Sequence, residues 1–182
     1  MTRLTRRQWL KVVHWAMVPL TVWFLVIGPP QAHGLGPWGF VLHSNLALLF
    51  VVLCLGWTAH FVYRGMLTTR TPKLSRSMAR AHWWMHRLII WNLFGIALGG
   101  FLLGLTASRQ FKAGTWLPFA PPLGAEWDLA WAHDAIGTLH IMQFYALGLL
   151  VIAHAAFHVW RHVHVRDNAL KVMAPRALHR WL

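Results

Sequence analysis

The sequence predicts an all-α integral membrane protein, a bundle of four spanning helices with both termini in the cytoplasm. Three observations predict it: four apolar runs long enough to cross a bilayer, cations gathered on one side of those runs, and histidines placed inside them. The 182 residues are 57% hydrophobic and carry 17 Lys and Arg against 4 Asp and Glu, a formal net charge of +13. A soluble protein this basic would point to nucleic acid. Here the cations flank apolar runs and form no basic stripe, so nucleic acid is set aside and the lipid bilayer is the expected partner. The length suits one domain, residues 1–182.

The first apolar run covers about 9–27 and stops at Gly28-Pro29-Pro30. It is too long, and lacks the small-residue cleavage site, for a removable signal peptide. The second run covers about 38–63, the third about 83–105 and the fourth about 135–163. Each reaches the roughly 20 residues a helix needs to cross the hydrocarbon core. Helices are required, because an open sheet leaves backbone groups unsatisfied in lipid. Trp9, Trp38, Trp83, Trp84, Trp127, Trp131 and Trp160 fall near the proposed ends, where an amphipathic ring is favoured. In the third run Gly95, Gly99, Gly100 and Gly104 read as positions of close helix approach.

Orientation follows from charge. Of the Lys and Arg residues, all but Arg109 and Lys112 lie in the amino-terminal segment, around the second connection, or at the carboxy-terminal end. The opposite side carries Glu126, Asp128 and Asp134. The positive-inside rule then places both termini in the cytoplasm, as four spans also require.

Ionisable residues inside apolar runs are costly and call for a partner. His140 and His154 are fourteen residues apart, a rise of roughly 21 Å that returns to nearly the same helix face. Two stacked haems, one near each surface, suit that spacing. At the outer level the only helix-borne histidines are His43 and His140, which makes them a pair. At the inner level the fourth helix offers His154, with His158 in reserve about one turn further out. His14 has the depth to be its partner. His60 is the second choice, because it lies seventeen residues from His43 and about 100° around the helix. His60 could instead stand near a propionate or a quinone. His82 and His86 read as interfacial residues, although pairs four apart also suit metal. The lone Cys54 allows neither a disulfide nor covalent haem attachment.

The pattern resembles bacterial cytochrome b561, a small four-helix branch of the superfamily that holds the cytochrome b subunits of nickel-iron hydrogenases and formate dehydrogenases. The residues that carry the resemblance are His154-Ala155-Ala156 with His158, then Arg166-Asp167-Asn168-Ala169-Leu170, Met173 and Pro175. His14-Trp15, His43-Ser44 and Ala81-His82 match the openings of the other helices. The resemblance implies two non-covalent b haems, with iron ligands His14, His43, His140 and His154. It further implies electron transfer across a bacterial inner membrane, with the quinone pool as partner. Superoxide:ubiquinone oxidoreduction is its most concrete form.

Two other readings stay open. One is the cytochrome b anchor of a larger oxidoreductase, with an external redox subunit docked on the outer loop from about 106 to 133. The other is a membrane di-iron oxygenase with histidine boxes at His82, His86, His154, His158, His162 and His164. That site would leave His43 and His140 unexplained, and the spans carry no carboxylate to bridge irons. A proton or metal transporter is disfavoured by the lack of Asp, Glu or Lys at the midplane.

Overall fold

A computed structural model describes residues 5–66, 73–108, 112–113, 117–118 and 123–181. Arg109, Trp116, Phe119, Pro121 and Pro122, which belong to the proposed outer docking loop, lie outside the described residues, as do Arg3 and Arg70. The molecule is helical, as expected, and four of its helices are long and apolar enough to cross a membrane.

Helix α1, Arg6–Val26, starts at a capping box in which Thr5 accepts from the Gln8 amide and the Gln8 side chain accepts from the Thr5 amide. The Gly28-Pro29-Pro30 break is not an open loop. With proline in its first turn it begins a short helix, α2, Pro29–Gly34. Gly36, at φ 86°, turns the chain into α3, Pro37–Arg64.

Helix α4, Arg76–Thr106, begins seven residues before the expected 83, because Ser75 caps it by accepting from the Met78 amide at 3.3 Å. His82 and His86 therefore sit nearly two and nearly three turns inside the helix instead of at its mouth. Helix α5, Ala130–Trp160, likewise begins earlier than 135 and runs into a π-turn, Arg161–Val165. Two left-handed residues, Arg166 and Asn168, then reverse the chain into α6, Ala169–Met173. Outside the helices the described residues include a two-residue antiparallel ladder, β1 Lys112–Ala113 with β2 Leu117–Pro118.

The long helices pack in a closed ring: α1 on α3, α3 on α4, α4 on α5 and α5 on α1. At mid-height Phe50, Cys54, Ile96 and Leu147 are almost wholly buried, with Val13, Met17, Leu20 and Leu93 around them. Many large apolar side chains point outward instead, including Val22, Val52, Leu98, Leu149 and Ile152. An apolar exterior around a narrow core is what a helix bundle shows when lipid is its solvent.

One end of the bundle is tied together. Arg6 donates to the carbonyls of Arg64 and Gly65, Lys11 to Ala174, Trp15 to Met173, and Lys73 to Arg166. The amino-terminal helix, the α3–α4 connection and the carboxy-terminal segment therefore share one end, here called inner. The connection from α4 to α5 lies at the other, here called outer.

Candidate cofactor site

The inner level is built by α1 and α5. His14 and His154 face each other with ring centroids 6.5 Å apart and planes 44° apart. Two imidazoles bound on opposite sides of one metal, with nitrogen–metal bonds of about 2 Å, hold their centroids roughly 6 Å apart. The spacing is that of an axial ligand pair. Trp57 from α3 and Trp15 border the His14 ring.

His154 also touches His86 and His158, at 4.8 and 4.6 Å between centroids, and His82 lies beyond them. The reserve residue His158 turns toward His82, while His154 faces His14. His60 stands apart from this group. It accepts from Arg6 Nε at 3.2 Å and packs on Trp9.

The outer level is built by α3 and α5. His43 and His140 do not touch. They are joined through two phenylalanines, His43 on Phe24, Phe24 on Phe144, and Phe144 on His140, at 5.1, 5.8 and 5.3 Å. The structure thus brings the expected inner pair together and sets the outer pair on either side of an aromatic step.

The four expected ligands share a further property. Among the described residues, Nδ1 of His14, His43, His140 and His154 is in each case buried with no hydrogen-bond partner. A buried polar atom left unpaired costs about 1–3 kcal/mol, so four such atoms at matched positions ask for a function.

The glycines of α4 serve the outer level. A Cβ on Gly99 would lie 2.7 Å from His140 Nδ1, and one on Gly95 would lie 2.6 Å from Gln143 Nε2. Their role is thus more specific than general helix packing: they seat two polar side chains of α5. Gln143 itself was missed from sequence, together with Asn92, which donates across the helix pair to its carbonyl at 2.9 Å. Arg87 was also missed as a site residue. Its guanidinium lies 3.8 Å over Trp83, and its Nε is buried without a hydrogen-bond partner among the described residues. Each is a polar residue inside an apolar run, which is the signal that could have found it.

The segment that carried the family resemblance forms a clasp. Arg161 and Asp167, both buried, form an ion pair, and Asp167 also accepts from the Ala169 amide at 3.1 Å to start α6. Away from the two levels, His133 bonds Thr106 and His179 bonds the Ala174 carbonyl. No protein-family model, curated protein or solved structure matches this chain.

Proposed function

We propose that the chain is a di-haem electron carrier of a bacterial inner membrane, with both termini in the cytoplasm, exchanging electrons with the quinone pool. The observation that carries this reading is the His14–His154 pair, with axial-ligand spacing and unpaired buried ring nitrogens. Haem suits the residues present. Imidazoles from facing helices would hold the iron, and the walls around them are aromatic. At the outer level His43 and His140 offer the donors. Phe24 and Phe144 between them would have to part to admit the ring.

Haem iron, when bound, supplies the one-electron couple. The chain's own residues ligate, bury and orient. Phe50, Ile96 and Leu147 keep water from the stretch between the levels, and Phe24 and Phe144 extend the aromatic contacts toward the outer pair. Four apolar spans and the gathering of cations at the inner end support the topology.

A quinone needs a flat apolar surface with a hydrogen-bond donor. A cleft of about 380 Å³ between α3 and α4 offers two aromatic rings and a guanidinium donor, lined by Phe61, Val62, Trp83 and Arg87. It adjoins the inner level, because Arg87 follows His86 and His86 packs on His154.

The test is purification in detergent with a visible spectrum and a haem assay. Sharp reduced bands of bis-histidine haem, with two haems per chain, are expected. A protein that folds in the membrane with haem available yet carries none would overturn the proposal.

A further inference from the structure

Three inner histidines lie outside the ligand set just described. His82 and His86 come from successive turns of α4, and His158 comes from the last turns of α5. One ring nitrogen from each lies within 4.8 Å of the others. His82 Nε2 and His158 Nε2 are 3.3 Å apart. Two nitrogens of a tetrahedral site with metal–nitrogen bonds of about 2.0 Å lie about 3.3 Å apart. The pair already has that spacing, held by a hydrogen bond from His158 to His82 whose proton a bound cation would replace.

Hydrogen bonding around the group points the same way. His86 Nδ1 meets the His82 carbonyl at 2.8 Å, so Nδ1 carries the proton and Nε2 keeps its lone pair. A metal-bound histidine characteristically gives its second N–H to a carbonyl or carboxylate in this way. Arg161 Nη1 points at His82 Nε2 from 3.3 Å, so that nitrogen also presents a lone pair. The arginine competes for that lone pair, and a bound cation would turn it aside. Its charge is matched by Asp167, so the group is not held beside an uncompensated cation. Three neutral imidazoles half-buried together, with no carboxylate among them, form a donor set that suits zinc or copper and not calcium or magnesium.

We infer that His82, His86 and His158 form a binding site for one divalent transition ion of the zinc and copper class, with its fourth position open. It uses none of His14, His43, His140 or His154, so it stands or falls apart from the haem reading. His154, in ring contact with His86 and His158, is its nearest link to the inner level.

The test uses the full chain without a polyhistidine tag, purified in detergent and stripped with a chelator. Equilibrium dialysis against Zn²⁺ should load one ion per chain. His82→Gln and His158→Gln should each weaken that binding at least tenfold, in the range of loss usual for metal-site changes. His179→Gln should leave it unchanged. Circular dichroism and a monodisperse size-exclusion peak of each variant report whether it has folded. Should the variants not fold, the unaltered chain still decides: bound Cu²⁺ should show nitrogen superhyperfine splitting in its paramagnetic resonance. No stoichiometric uptake of Zn²⁺, uptake undiminished in folded His82→Gln and His158→Gln, or Cu²⁺ without nitrogen coupling would each overturn the site. A chain that takes up zinc but no haem would sink only the electron-carrier reading.

Discussion

At the scale of single residues, burial decides which changes matter. Asp167 is the one carboxylate at a strongly cationic end, and it both neutralises buried Arg161 and caps α6. Asp167→Ala leaves a buried guanidinium uncompensated, a loss of about 3–5 kcal/mol in comparable pairs. Thermal unfolding in detergent should show it, with the carboxy-terminal segment released first to added protease. A melting temperature equal to the parent's would mean that the pair contributes nothing. The four proposed ligands differ in what their loss should remove. His14→Ala or His154→Ala should cost the inner haem alone, and His43→Ala or His140→Ala the outer alone, each halving the haem content. His60→Ala should keep both, since His60 is bonded to Arg6 and lies away from the pair. Losing the inner haem in His60→Ala would make His60 the ligand. Arg87→Gln should keep both haems and raise the KM for a soluble quinone several-fold. An unchanged KM would place the quinone elsewhere.

At the scale of elements, α4 and α5 are shaped for each other, and the contact is testable through two neighbouring glycines. Gly99→Val sets a Cβ against His140 Nδ1, so the ring or the helix must shift, at about 1–3 kcal/mol in a close-packed interior. The outer haem should be lost while the inner is kept. Gly100→Ala meets His140 only at 3.7 Å, an ordinary contact, and should be tolerated. If the two variants behave alike, the glycines serve general packing after all. The four long helices were legible in the sequence because lipid demands continuous apolar runs, and that signal survives without any knowledge of packing. The common height of His14 and His154 was legible too, since helical rise converts sequence spacing directly into depth. Rotation about each axis was less so: nothing in the spacing says that His14 and His154 meet while Phe24 and Phe144 stand between His43 and His140. The early start of α4 was hidden because its first turns are basic, and a cap made by Ser75 outweighs hydropathy there. The Asp167 clasp depends on two non-glycine residues at positive φ, each costing about 1–2 kcal/mol. Local propensity opposes such positions, so only the tertiary contacts that hold them could reveal them.

At the scale of the whole molecule, charge and connectivity make the two ends unlike, and that asymmetry bears on the direction of electron flow. Hydrogen bonds from Arg6, Lys11, Trp15 and Lys73 lash both termini to the inner end, where the cations gather. Reporter fusions at either terminus should therefore be active in the cytoplasm, and activity of one of them outside would break the proposed topology. Positive charge nearby stabilises the reduced form of a redox centre, so the inner haem should have the higher potential and receive the electron. Redox titration of His140→Ala and His154→Ala would assign each potential, and the reverse order would show that burial outweighs the surface charge. Flow from outer to inner needs an external donor. Superoxide is a small anion, and cations at the outer mouth would steer it. Glu126, Asp128 and Asp134 are exposed at that end, which leaves Arg109 and Lys112 to draw it in locally against a negative surround. Steering of that kind is weak and screened by salt. If superoxide is the donor, mixing it with the oxidised protein should reduce the haems quickly, low salt should speed the step only slightly, and added ubiquinone should reoxidise them. Absence of fast reduction would mean that the electron arrives from a docked redox subunit at the outer end.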